Sequence, residues 1–246
     1  MNCTTAELMA VVLSRQLVAG DVVVTGTNAL IPISACRVAG IMGAPGIVPM
    51  IGATGTLAPD CEAIPESGGD QDFVAGRATM GLMRGITDQV RGLADVIFLG
   101  GLQVDRKGRC NLCTVGDYAK PRLRGPGTIG LSMIASVKRT FMFFLHHDPR
   151  TFVEQVDFVS GEGLRSEGGL EIIVTPLGVF APNRARNEIE LRSIHPGVSF
   201  EQIQARTGFA LSREGVDTTI APNERELAAL RSFAAGRALS RLELAA

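Results

Sequence analysis

The sequence predicts an α/β fold on three observations. Helical and strand patterns alternate along the chain, glycines stand at strand ends, and Thr140–Leu145 and Glu171–Val174 are continuous apolar runs of the kind found in strands covered on both faces. Thr4 and Glu7 form a capping box ahead of Leu8, Val11, Val12 and Val18, which predicts an opening helix stopped by Gly20. Asp21–Thr25 is a short β-branched strand, and Gly26-Thr27-Asn28 turns it into a second helix carrying Ile33, Val38, Ala39 and Met42. Ile47–Ile51 reads as the next strand, with Pro49 suited to an edge or a bulge, and Gly52-Ala53-Thr54-Gly55 leaves it as a loop. The Gly, Pro and acid-rich stretch from Ala58 to Asp72 reads as an exposed loop. Ala94–Leu99 is another strand, ending at Gly100-Gly101, and Arg106-Lys107-Gly108 is a turn. Ligands are expected outside the carboxyl ends of such strands. Neither an internal repeat nor a linker divides the chain, so residues 1–246 read as a single domain.

Composition narrows the function classes. Apolar residues make up 46% and charged residues 20%, which excludes disordered, collagen-like and coiled-coil chains. Twenty-four basic against 25 acidic side chains leave a formal charge of -1, so no global field draws in nucleic acid or anionic lipid, and neither is expected as a partner. With no Trp and one Tyr, backbone-lined loops are the expected recognition surface. The first sixteen residues lack a basic n-region and carry Arg15 within their apolar run, which fits neither a signal peptide nor a membrane span; the expected location is cytoplasmic. Five cysteines are then read as reduced thiols. Cys110 and Cys113 form a lone CxxC without a second Cys/His pair, so they are read as small core residues, and no metal site is predicted.

No P-loop is present, and Gly26-Thr27-Asn28 lacks the further glycines of a dinucleotide fingerprint. His146-His147-Asp148 cannot all converge on one ion and reads as a polar strand-to-loop junction. His195-Pro196-Gly197 marks a turn whose imidazole is solvated or bonded to backbone. From Arg124 to Gly130, closely spaced glycines expose backbone N–H groups that suit a carbonyl oxygen or an anion; periodicity alone fits a wide turn equally well.

Several of these segments together resemble one family. Phe98 to Asn111 carries a strand followed by GGxQxDxxGxxN, which looks like the pattern of the B subunit of glutaconate CoA-transferase and its relatives in the class I CoA-transferase family. Gly116-Asp117-Tyr118, Lys120-Pro121-Arg122, the loop from Gly125 to Gly130, Asp157–Ser160, Thr175–Phe180 and His195–Val198 recur in family order across nearly the whole chain. The resemblance implies an open three-layer α/β/α CoA-transferase-like fold, an A subunit as partner in an α2β2 assembly, and an acyl-CoA thioester as substrate with no permanently bound cofactor. It implies substrate-binding roles for Gly26, Thr27, Asn28, Gly100, Gly101, Gln103, Gly125, Gly127 and Thr128.

Transferases of this family place a nucleophilic glutamate after a strand in a short E-(S/N)-G motif. Here that position falls on Gly52 or Ala53, so the loop of Gly52, Ala53 and Thr54 occupies the catalytic place without a carboxylate. Glu66-Ser67-Gly68 imitates the motif in letters but lies thirteen residues beyond Ala53, in the Pro/Gly loop. The resemblance therefore implies an enzyme that acts on an acyl-CoA by hydrolytic carbon–carbon cleavage or decarboxylation. The alternatives are a CoA-transferase whose nucleophile comes from elsewhere, or a non-catalytic scaffold for the A subunit. The glycine loop also departs from the family's GxGG: Pro126 has no N–H, and Thr128 replaces a glycine, which weakens the loop's oxyanion-hole role and leaves only the Gly127 and Thr128 amides available for it.

Overall fold

A computed structural model describes residues 3–26, 29–51, 56–59, 76–79, 92–128, 131–165, 168–242 and 244. The chain divides into two compact units, one of Met1–Phe98, Ser136–Lys138 and Ala221–Leu244, the other of Leu99–Ala135, Arg139–Ile220 and Ala245–Ala246.

The first unit opens with α1 (Thr5–Ser14), whose capping box forms as the sequence predicts: Glu7 N–H donates to Thr4 Oγ1 at 3.2 Å, and Thr4 N–H to Glu7 Oε2 at 2.9 Å. Glu7 has a second task. Its buried carboxylate also accepts from Arg231 Nε at 2.6 Å, while Arg15 pairs with Glu226 at 2.8 Å, so two charged pairs fasten α1 to the helix Glu224–Arg231. The helix ends earlier than its apolar spacing predicts. Arg15 is its C-cap, and Val18, expected within it, is exposed at 56% with its N–H held by the Asp21 carboxylate at 2.8 Å.

β1 (Val22–Thr25) leads through Gly26 to α2 (Leu30–Met42), and β2 (Val48–Ile51) follows, parallel to β1. β3 (Thr56–Pro59) and β4 (Gly76–Thr79) extend the sheet antiparallel, and β5 (Val96–Leu99) pairs parallel on the other side of β1. Two expectations change here. β2 is an interior strand; it accommodates Pro49 because β3 pairs only with Met50 and Ile51, leaving no ladder bond opposite the missing N–H. Ala58 and Pro59, expected in a loop, lie in β3, whose pairing with β4 overrides the local turn composition. Residues 60–75, which hold the rest of that predicted loop, lie outside the described residues. Met9, Leu13, Ile31, Met50, Ile51 and Phe233 form the fully buried centre of this unit.

The second unit begins with the hairpin β6 (Gln103–Asp105) and β7 (Cys110–Asn111), then the hairpin β8 (Thr114–Val115) and β9 (Leu123–Arg124). A 3-10 turn, Leu131–Ala135, precedes β10 (Arg139–Phe143). β11 (Phe152–Val153) joins β6 in parallel, and β12 (Gly169–Val174) lies parallel to β10, as the apolar runs predict. β13 (Gly178–Asn183) and β14 (Glu188–Ile194) add antiparallel strands; after α3 (Phe200–Ala205), β15 (Asp217–Thr218) pairs parallel with β14. Phe152 lies at the centre of the aromatic core, 5.4 Å from Phe144 edge-on and 5.4 Å from Phe180.

Candidate functional site

The segment after β5 is built around inward-facing polar side chains. Asp105 is fully buried; its Oδ1 accepts from the N–H groups of Lys107 and Arg109 at 3.0 and 3.1 Å, and its Oδ2 from Arg109 Nε at 2.7 Å. That carboxylate closes the turn read from Arg106-Lys107-Gly108. Asn111 closes the next one. Its Oδ1 accepts from Cys113 and Thr114 N–H at 2.9 and 3.2 Å, and its Nδ2 donates to the Thr114 carbonyl at 2.6 Å and to Gln103 Oε1 at 2.7 Å. Gln103 Oε1 also accepts from Asp157 N–H at 3.1 Å, while its Nε2 donates to Asp157 Oδ2 at 3.1 Å. The orientations of both amides follow, because only a nitrogen can face the Thr114 carbonyl and only an oxygen can face the Asp157 N–H.

Two glycines complete this frame by close approach. A Cβ on Gly101 would overlap Cys110 Sγ, and one on Gly125 would overlap the Leu112 carbonyl and come within 2.8 Å of Leu102 Cδ1. Gly125 N–H donates to the Cys113 carbonyl at 2.8 Å and Gly127 N–H to the Leu112 carbonyl at 3.2 Å. The Gly127 amide, one of the two that the sequence leaves to this loop, is thus taken by a backbone acceptor inside the chain. Gly100, Gly101, Gln103, Gly125, Gly127 and Thr128 thus belong to one scaffold in the second unit. Gly26 follows β1 in the first unit, and Thr27, Asn28, Gly52, Ala53 and Thr54 lie outside the described residues.

The cysteines and histidines match their structural readings. Cys110 and Cys113 are buried free thiols, and burial pushes Cys110 up to about 12, which leaves it protonated and unreactive. His147 stacks on Phe152 with ring centroids 4.0 Å apart. Thr207 Oγ1 donates to the Ile203 carbonyl at 2.8 Å and so accepts from His147 Nε2 at 3.0 Å; His147 Nδ1 lies 2.9 Å from Thr175 Oγ1, which is also 3.2 Å from the Gly178 carbonyl. His195 Nε2 faces the Thr175 carbonyl at 2.9 Å and must carry the proton, leaving Nδ1 to accept from Thr219 Oγ1 at 2.9 Å. Both rings are neutral structural groups. Burial, aided by the Arg206 charge, lowers His147 to about 3, and burial lowers His195 to about 4 against the opposing Thr175 bond. Among the described residues no cluster of His, Cys, Asp and Glu suits a metal ion.

The sequence reading missed a surface feature of the same unit. A cavity of about 370 Å³ lies against Leu102, Val115, Leu123, His146, Asp148, Arg150 and Thr151. A second, of about 410 Å³, shares Val115 and Arg150 and adds Gln103, Arg122, Pro149, Val153 and Asp157. The hairpin beside it is held in place: Gly116 N–H donates to Asp157 Oδ2 at 2.8 Å, Tyr118 stacks on Phe158 at 5.5 Å, and Arg124 lies 4.8 Å from the Tyr118 ring centroid.

The fold and these loops define an α/β protein whose polar motif residues hold backbone-lined turns beyond the carboxyl ends of strands. The chain belongs to the Coenzyme A transferase family, whose model matches residues 1–206, and this bears out the resemblance carried by its motifs. It is 35% identical to the B subunit of 3-oxoadipate CoA-transferase from Pseudomonas knackmussii over 94% of each chain. It is 30% identical to the IpdB subunit of the cholesterol ring-cleaving hydrolase from Rhodococcus jostii over 58% of this chain and 60% of that one. Among solved structures, the decarboxylase AibA/AibB matches 99% of this chain and 100% of its own with a TM-score of 0.86 at 28% identity. The α/β fold of this family is therefore the fold of this chain.

Proposed function

We propose that this chain is the B subunit of a heteromeric enzyme that acts on an acyl-CoA thioester by decarboxylation or hydrolytic carbon–carbon cleavage. The observation that carries the reading is the stretch Gly52-Ala53-Thr54-Gly55, directly after β2, in a chain whose other motifs, the glycine loop at Gly125 to Gly130 apart, follow the family's pattern. CoA transfer by covalent catalysis needs a carboxylate to form the anhydride and thioester intermediates, and glycine, alanine or threonine cannot stand in for it. Decarboxylation and hydrolytic carbon–carbon cleavage need no such intermediate. In decarboxylation the carboxyl carbon leaves as CO2; in hydrolytic cleavage water adds to a ketone carbon, which leaves as a new carboxylate. In both, the electron pair of the broken bond stays on the acyl-CoA fragment, which takes up a proton there, and the thioester remains whole. Relatives named as a decarboxylase and a ring-cleaving hydrolase support this division.

The family match runs through both compact units, which supports treating residues 1–246 as one domain. The partner is the A subunit, in an α2β2 complex, with CoA entering as part of the substrate. No described helix is long and apolar enough to cross a membrane, and the action is assigned to the cytoplasm, where Cys110 and Cys113 would stay reduced.

Product analysis of the A/B complex with candidate acyl-CoAs tests the reading. A shortened or ring-opened product still joined to CoA, with CO2 release or water oxygen in a new carboxylate, is expected. A second reading, transfer with a nucleophile from the A subunit, draws on the 35% identity to a transferase relative, and a tryptic A-subunit peptide carrying CoA would establish it. A scaffold role would be established instead if soluble A subunit alone turned over as fast as the complex.

A further inference from the structure

We infer that Thr25, together with the N-terminus of α2, binds an oxygen of the substrate's acyl group, a ketone or a carboxylate; this deepens the acyl-CoA reading above and rests on it. Among the buried side-chain nitrogens and oxygens of the described residues, four lack a partner: Thr25 Oγ1, Ser34 Oγ, Arg106 Nε and Thr140 Oγ1. Such groups are rare in folded proteins, because burial strips them of water without replacing its hydrogen bonds. Ser34 lies inside α2, Arg106 in a turn with its other nitrogens paired to Glu154 and Glu188, and Thr140 near the start of β10. Thr25, only 1% exposed, is the one that closes the carboxyl end of a strand.

The strand order points to the same place independently. β2 pairs with one side of β1 and β5 with the other, both in parallel, so the order in which the chain adds strands reverses at β1. Such a reversal opens a crevice outside the carboxyl ends of the strands, and open α/β sheets bind their ligands there. Thr25 stands beside Ile51 in that register. Gly52 and Ala53, which follow Ile51 in the chain, bring no side-chain donor or acceptor of their own.

The start of α2 adds donors. A Cβ on Gly26 would lie 3.9 Å from Ala29 Cβ, so the chain returns Ala29, the N-cap, to the end of β1. No side chain caps this helix, its first turn holds no acidic residue, and Ile33 N–H makes the first helical bond to the Ala29 carbonyl at 3.0 Å. Pro32 has no N–H, so the donors that this end presents beyond the N-cap are the N–H groups of Leu30 and Ile31. A helix N-terminus without an anion of its own favours an incoming oxygen that carries negative charge. The carboxylates bonded around β1 do not oppose one, because they stand at its amino end: Asp95 Oδ2 accepts from Val22 N–H at 2.9 Å, and Asp21 precedes the strand. Gly26 is exposed, which leaves the carboxyl end open to a substrate.

Calorimetric titration of the A/B complex with three acyl-CoAs of equal acyl length tests this: acetoacetyl-CoA with a ketone, succinyl-CoA with a free carboxylate, and butyryl-CoA with neither. The wild type should bind one of the first two more tightly than butyryl-CoA, and which one identifies the oxygen that is read. Thr25→Val should weaken that ligand about tenfold, the magnitude of one hydrogen bond, and leave butyryl-CoA unchanged. It should also keep or raise the urea midpoint of the complex, because it removes a hydroxyl that bonds nothing in the fold. Thr25→Ser, which keeps the hydroxyl, should bind as the wild type does. An unchanged affinity in Thr25→Val overturns the inference, as do equal wild-type affinities for the three ligands. Equal weakening of all three, or a lowered urea midpoint, overturns it too, because the hydroxyl would then have a structural task. Failure of the wild-type complex to bind any acyl-CoA overturns the acyl-CoA reading, and this inference with it.

Discussion

Asn111 donates its side-chain N–H to Gln103 Oε1 across 2.7 Å in a pocket where Asn111 is fully buried and Gln103 is 4% exposed. Two conspicuous polar letters of the family motif therefore face each other, and they hold the β6–β7 hairpin against the Asp157 loop. Gln103→Ala should leave Asn111 Nδ2 and the Asp157 N–H short of an acceptor and cost about 1–3 kcal/mol. Urea unfolding would measure it. Asn111→Asp should cost more, since it sets a carboxylate oxygen against Gln103 Oε1 and the Thr114 carbonyl. If either variant kept wild-type stability while losing ligand affinity, these residues would be substrate contacts and not a frame.

The histidine pair makes the fold sensitive to acid. Both pKa values are depressed in the folded chain, to about 3 for His147 and about 4 for His195, so the unfolded state binds more protons below the ordinary value of 6.5. Stability is at its full value above pH 6.5 and is lost as pH falls toward those folded values, by about 1.4 kcal/mol per pH unit for each ring. Thermal melts from pH 7 to 4 should show this slope, and His147→Gln should flatten it while lowering the plateau. An unchanged slope in that variant would mean that other groups carry the acid sensitivity.

The proposed place of the family's glutamate, at Gly52 or Ala53, is tested by putting a carboxylate there. Ala53→Glu brings an unpaired charge and extra volume to the loop after β2, so it should impair the native reaction. Glu66→Gln should change turnover little. Steady-state rates of the two complexes decide between the assignments: wild-type turnover in Ala53→Glu together with loss in Glu66→Gln would make Glu66 the catalytic carboxylate.

Much of the fold was legible because its central strands are dense in apolar and β-branched residues. β1, β2, β5, β10 and β12 appear where such runs predict them. β13 and β14 were not anticipated as a hairpin, since Asn183, Glu188, Glu190 and Arg192 give them a polar composition, and it is the antiparallel pairing that makes them strands. Likewise Glu7 shows itself as a capping residue, but nothing near it indicates Arg231. At the candidate site the motif residues could be named from sequence while their direction could not. Gln103 turns inward because Asn111 and Asp157, eight and fifty-four positions away, complete its bonds. The two cavities were invisible for the same reason: Leu102, Val115, Arg122, His146 and Arg150 form no local pattern until the fold gathers them.

The chemistry at the thioester is tested most directly by incubating the wild-type A/B complex with its acyl-CoA and labelled acetate, then analysing both the CoA products and the protein by mass spectrometry. The proposed reaction forms no labelled acetyl-CoA and no CoA adduct on this chain, while the acyl-CoA is shortened or opened with its thioester intact. Labelled acetyl-CoA, formed through a CoA thioester on a carboxylate of this chain, would contradict that and show CoA transfer here.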